Sequence, residues 1–354
     1  MSPACPTPKD LDAWISKDHV VALHYRQHLV PAEGRGAVFF PPTYANTEGG
    51  YQINELADGT KIADVDSVAS QANRREPIFL REDLRHLVPQ IAITHDRGKE
   101  LPPGRVSLLE AGHRLGDAIV RCTELAERAQ KAFRAQRDGN DARLLAKLAP
   151  TSLVFGAWDS RDTMTRIPRL LAATVRAWDV SVLKRSAQYV PALDYAELEV
   201  FSEAEKAKAE GKSSSPLAER GYVHVPAVGT HGGVIARGPI RLDLTVNLVQ
   251  LRRLEGGDDT LALRRYILGL ALVAAAEPID PFFRQGCLLV PDDEVPAEWT
   301  LVLRDGRREA VDITPEWARE VATEAATAFG VGENLEVRFD KKKAKSDAKK
   351  KQSK

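Results

Sequence analysis

The segment Ser67-Val68-Ala69-Ser70-Gln71-Ala72-Asn73-Arg74-Arg75-Glu76 crowds hydroxyls, primary amides and guanidiniums together, with only Val68 and the alanines apolar. Wound as a helix, it places Ser67, Ser70, Gln71 and Arg74 on one face at i, i+3, i+4 and i+7. Such a face offers donors to phosphate and ribose 2′-hydroxyl oxygens and demands no particular base. An exposed helix start capped by Ser67 accounts for Ser67 and Arg75, and less readily for Gln71 and Asn73. A second segment, Phe155-Gly156-Ala157-Trp158-Asp159-Ser160-Arg161, leads on to Arg166, Arg169, Arg176 and Lys184-Arg185-Ser186. A strand ending at Trp158 and feeding an arginine-dotted stretch presents several phosphate ligands and one ring. Tryptophan is more often core than platform, so the arginines and not Trp158 are the expected contacts.

There is no Walker A sequence, no HExxH, no HxE with PCxxC and no GxSxG elbow. Gly229-Thr230-His231-Gly232-Gly233 is glycine-rich and would expose backbone N–H groups to a phosphate. Such a cluster is more often only a turn. The eight histidines lack metal-ligand spacing, and His24 and His28 fall in a strand-like segment, where a four-residue spacing makes no helical chelate. Asp64 and Asp66, two apart on a strand, point the same way and could orient a 2′-hydroxyl or bind a metal; an ordinary hairpin end is the plainer account. No metal, cofactor or catalytic residue is expected.

The 354-residue chain has formal net charge zero. The eight Lys and one Asp of residues 341–354 leave that tail at +7 and the body at −7. Body cations are 32 Arg against 10 Lys, and the rigid guanidinium fork suits phosphate better than a point charge does. A GC-rich genome inflates arginine equally well. Position is more telling, since residues 151–193 hold six cations and three acids, a +3 island in an acidic body. The tail is expected to be disordered, as an electrostatic arm or a solubilising end. Three scattered cysteines suit reduced thiols in cytosol. No secretory signal is visible, and the longest apolar run, Tyr266 to Ala276, is too short to cross a bilayer.

The elements that must position these residues are legible in outline. His19–His28 and Gly36–Phe40 read as strands, and Tyr51–Leu56 and Lys61–Asp66 flank the turn dipeptide Asp58-Gly59. Ser107 and Glu110 form a capping box for one long helix to about Gln136, stopped at Gly139, with Cys122 in its apolar stripe. Ser152–Trp158 looks like a buried strand. Leu170–Trp178 and Val180–Val190 are β-rich or mixed, and Glu197–Pro216 is a helical insertion ending in a loop. Ile240–Leu251 has β character, and Thr260 caps an apolar helix ended by Pro278. Leu288–Val290, Leu301–Leu303 and Leu335–Phe339 are short strands, and Thr314-Pro315 opens a last helix to about Phe329. The class is α+β. A strand–helix–strand–strand–helix–strand (ferredoxin-like) core with large insertions fits the length.

SVASQANRREP, LVFGAWDSR and RSAQYVP (Arg185–Pro191) together resemble the backbone subunit of type I CRISPR Cascade complexes, in the subtype I-G version formerly called I-U. This is a branch of the repeat-associated mysterious protein superfamily, and the resemblance covers most of residues 15–340. It implies one modified RNA-recognition-motif domain over 1–340 with palm, thumb and fingers-like elements. Insertions fall at about 41–66 (the thumb-like hairpin), 107–150 (helical) and 194–222 (charged). It implies a cytoplasmic binding scaffold whose copies line up head to tail along the spacer of a guide RNA (crRNA), beside other Cascade subunits. The guide is presented for pairing with target DNA, and cutting and guide processing belong to other proteins. By position, Ser67, Ser70, Gln71, Asn73 and Arg74 would contact the guide backbone, with Arg161, Arg166 and Arg169 nearby and Lys184 and Arg185 beyond. Arg35-Gly36-Ala37-Val38-Phe39-Phe40 departs from the usual stacking strand of an RNA-recognition motif, which favours backbone recognition. Two other readings stay open: a nuclease of the same superfamily using Asp64 or Asp66 on target RNA, and an unrelated cytosolic enzyme with a phosphate ligand at Gly229–Gly233.

Overall fold

Strict alternation of apolar and polar side chains builds the central sheet. In Ile240–Asn247 the residues Ile240, Leu242, Leu244 and Val246 are buried, while those between them face outward. Leu171–Trp178 repeats the pattern with Leu171, Ala173, Val175 and Ala177 inside. The computed structural model describes residues 5–45, 50–98 and 101–349. Its largest sheet is antiparallel and runs Phe282–Arg284, Cys287–Pro291, Val20–Pro31, Ile240–Asn247, Leu171–Trp178, Lys61–Asp66, Ile53–Glu55. Val20–Pro31 also carries Glu298–Leu303 on the edge it shares with Cys287–Pro291. The fold is thus mixed helix and antiparallel sheet.

The helix Thr260–Ala276 is buried on nearly every side and crosses Pro315–Phe329 closely, because position 269 is glycine. A Cβ there would lie 2.8 Å from the Ala322 Cα. Tyr266 stacks on Phe329 at 5.1 Å and donates its hydroxyl to the Leu87 carbonyl at 2.8 Å. Thr260 is the first helical residue and not the cap; its hydroxyl accepts the Gly256 N–H. Among the described residues no helix is long and apolar enough to cross a membrane.

The structure departs from the sequence reading at further places. The long helix expected from Ser107 is broken. Its capping box forms, but opens only the 3-10 turn Leu108–Glu110. A second turn, Arg114–Gly116, and the helical turn Ala118–Arg121 precede the continuous helix Ala126–Gly139. Glycines 112 and 116 weaken the helix, and Arg114 adopts a φ of 53° that no helix tolerates. The apolar residues Leu108, Ala111, Leu115, Leu125, Ala129 and Phe133 are buried nonetheless. Ser152–Trp158 is not one strand: Thr151–Phe155 is helical, Gly156 turns at φ 79°, and the strand Ala157–Asp159 begins after it. A short, wholly buried apolar run carries no periodicity to separate the two states. Among the described residues, Gly36–Phe40 makes a single bridge, Phe39 to Val234, and no strand. In the tail expected to be disordered, Lys341–Lys349 is a helix, its first N–H groups capped by Asp340 and Lys343 donating to the Thr123 carbonyl.

The hairpin around Asp58-Gly59 forms as expected, with Gly59 at φ 85°. It is an edge of the main sheet, and residues 46–49 of the expected 41–66 insertion lie outside the described residues. A longer two-stranded ribbon, Val180–Tyr189 with Val225–Ala236, is exposed over most of its first strand. The segment between its strands carries Glu203–Ala209 and Pro216–Glu219, gathered on a small apolar cluster of Ala209, Ala218 and Val223. Gly229–Gly233 belongs to the ribbon's second strand. A Cβ on Gly232 would lie 2.7 Å from the Leu183 and Lys184 carbonyl carbons, so this glycine serves strand packing and not a phosphate loop.

Replacing Gly269 by Val should lower stability by about 1–3 kcal/mol, the usual cost of overpacking. Urea unfolding measures it, and an unchanged midpoint would show that the two helices can separate freely.

Candidate functional site

Asp66 ends the strand Lys61–Asp66 with its carboxylate buried, and a buried charge must be satisfied. The next helix, Val68–Arg75, does this. Ser67 caps it by accepting the Ser70 N–H at 3.3 Å. Gln71 donates its amide to Asp66 at 2.6 Å, and Arg74 Nε donates at 3.1 Å. Arg74 also donates to the carbonyls of Phe282 and Phe283 and lies 5.0 Å over the Phe283 ring. Arg75, fully buried, bonds Gln71 Oε1 and the Ala274 carbonyl. The Ser67–Ser70–Gln71–Arg74 face therefore exists but turns inward. Gln71 is inaccessible and Arg74 is largely committed, which corrects their expected place on an outer face. Asn73 is exposed and Ser70 half-buried.

Asp64 and Asp66 do not act together. A bulge separates them, so Asp64 stands opposite Arg176 and pairs with it at 2.8 Å, while Asp66 turns inward to Gln71 and Arg74. Among the described residues no group of three or more His, Cys, Asp or Glu is arranged to hold a metal.

Arg114 joins the two segments that sequence reading singled out. Its Nε lies 2.6 Å from the Glu76 carboxylate. One terminal nitrogen donates to the Gly156 carbonyl at 3.2 Å, the other to Asn73 Oδ1 at 3.5 Å, and the guanidinium lies 5.3 Å over Phe155. Both charges are buried. Burial is the largest influence on each: it pushes the Glu76 carboxyl up to about 7, opposed by Arg114 and Thr151, and it lowers Arg114. Arg114 was missed in the sequence, where it is one cation between Ala111 and Leu115 of an apolar stripe. The flanking Gly112 and Gly116 are the only local signal of a special backbone.

From Gly156 the chain forms a small antiparallel hairpin, Ala157–Asp159 with Thr165–Ile167, in which Trp158 stands opposite Arg166. Its inward residue Asp159 ties the turn by accepting the Asp162 and Thr163 N–H groups and the Thr163 hydroxyl. Gly156 packs on Arg169, where a Cβ would come within 2.8 Å of Cγ. Arg161, Arg166 and Arg169 are exposed. So is Trp158, at 58%, against the expectation of a core residue. Lys184 and Arg185 lie on the separate ribbon; both are exposed, and Arg185 sits 5.7 Å from the Phe40 ring.

The family model described as CRISPR-associated protein GSU0053 matches residues 23–182. No curated protein matches the chain. A solved chain titled "CRISPR RNA-guided surveillance complex, pre-nicking" is 11% identical, with 93% of this chain and 98% of that one covered and a TM-score of 0.39. Another, titled "CRISPR RNA-guided surveillance complex", is 12% identical, with 84% and 79% covered and a TM-score of 0.25.

A buried carboxyl can escape an absent partner by binding a proton, whereas a guanidinium cannot. Glu76→Ala, which strands Arg114, should therefore cost about 3–5 kcal/mol. Chemical denaturation at neutral pH checks this, and a loss under about 1 kcal/mol would mean that the pair does not anchor the segments.

Proposed function

We propose that this chain, whose residues 23–182 match the family model described as CRISPR-associated protein GSU0053, is the backbone subunit of a type I CRISPR surveillance complex. In this reading, of subtype I-G, it grips guide RNA through the sugar-phosphate skeleton. The observation that carries it is the set of exposed arginines, Arg161 and Arg166 on a tied hairpin and Arg169 just after it, joined through buried Arg114 to exposed Asn73. Guanidinium forks bind phosphate bidentately and carry no base preference. A guide spacer has arbitrary sequence, so a grip of this kind suits it.

The strand order supports a modified RNA-recognition-motif core. With Val20–Pro31, Leu171–Trp178, Ile240–Asn247 and Cys287–Pro291 taken as first to fourth, their order across the sheet is fourth, first, third, second. Helices fall between the first and second and between the third and fourth, the pattern of a split βαβ unit. Copies lie head to tail along the guide beside other Cascade subunits, and the held RNA pairs with target DNA. The subunit is a scaffold, and cleavage belongs elsewhere. Lys184 extends the phosphate contacts onto the ribbon.

The test is single-stranded RNA binding by the purified chain. Arg166→Ala or Arg169→Ala should weaken binding by about 1–3 kcal/mol, equally for unrelated sequences. Each should flatten the dependence of log affinity on log salt by about 0.7. Failure to retain or bind RNA at low salt would overturn the reading, and a sequence-dependent loss would overturn backbone recognition.

A further inference from the structure

We propose that Trp158 is a stacking platform for one nucleobase of the strand held by the neighbouring arginines; this rests on the RNA-gripping reading above. Alternation along Ala157–Asp159 forces the ring outward, because Ala157 and Asp159 take the inner positions. The backbone beneath it is fixed. Asp159 ties the turn through three acceptor contacts. Arg137 donates to the Thr163 carbonyl at 2.6 Å. On the other side, a Cβ on Gly116 would lie 2.9 Å from the Trp158 carbonyl oxygen, so the Arg114–Gly116 turn packs directly against this strand. The ring is thus a large apolar surface on a rigid mount.

None of the ring–ring or cation–ring contacts among the described residues involves it. Arg166 stands directly across the hairpin, Arg161 lies in the turn, and Arg169 follows two residues after the second strand. A flat aromatic face with an exposed cation across from it and others nearby in the chain matches a nucleotide, which offers a flat base and an anionic phosphate within one repeat. An apolar protein partner would leave those guanidiniums to be desolvated without counter-charges. Every base has a π-face, so stacking here adds affinity and keeps the site blind to sequence.

The full-length protein is titrated with short single-stranded RNA and with an abasic ribose-phosphate oligonucleotide of equal length. Emission of the wild type is compared with that of Trp158→Phe, and affinities are measured for Trp158→Ala, Trp158→Phe and Arg166→Ala. Base-bearing RNA should quench the emission lost in Trp158→Phe, and the abasic strand should not. Trp158→Ala should bind base-bearing RNA roughly tenfold more weakly, bind the abasic strand like the wild type, and be rescued largely by Phe. If Trp158→Ala binds base-bearing RNA like the wild type while Arg166→Ala is weakened, stacking falls and the backbone grip stands. If the wild type binds neither strand, the underlying reading falls with it. A blue shift of Trp158 emission with protein concentration, without RNA, would assign the ring to contact between copies and overturn the inference.

Discussion

The ion pair between Glu76 and Arg114 is the constraint on which the candidate site depends. It brings together segments some forty residues apart in the chain, and it does so in a dry interior where neither charge is affordable alone. Glu76 immediately follows the helix Val68–Arg75, whereas Arg114 reaches the Gly156 carbonyl just before the arginine-bearing hairpin. Arg114 makes these contacts from a left-handed backbone, at φ 53°. Held this way, the backbone at the start of the hairpin is tied to the core.

A second buried charge, Asp66, shows how composition can mislead. A segment rich in hydroxyls, amides and guanidiniums reads naturally as a surface that meets a polar ligand. Here the ligand of that polar face is the protein's own carboxylate. Gln71 and Arg74 satisfy Asp66, and Arg75 continues the network to the end of the buried helix Thr260–Ala276. The helix Val68–Arg75 thus spends its polar face inside the protein, while Asn73 and the arginines that follow Trp158 stay exposed.

Much of the sheet was readable because period-two alternation is an unambiguous signal: Leu242, Leu244 and Val246 declared both their strand and their buried face. The Asp58-Gly59 turn and the Thr314-Pro315 helix start were equally plain, since each rests on a local backbone preference. The short apolar run before Gly156 was not, because a fully buried segment looks the same wound or extended. The stripe after Ser107 foretold burial correctly and continuity wrongly, as only tertiary contacts show that Arg114 leaves the helical region. Within the site, the exposed arginines were legible from their clustering. The inward turn of Gln71 was not, since i, i+4 spacing tells which residues share a face and never which way that face looks.

Among the described residues the ribbon formed by Val180–Tyr189 and Val225–Ala236 takes no third strand beyond the single bridge to Phe39, and the segment between its strands holds a miniature core of its own. With ten residues in its first strand, at about 3.3 Å each, it is an arm roughly 33 Å long. Phe39, Phe40 and Tyr51 brace its near half against the body, so that any bending is confined to the half beyond Arg185.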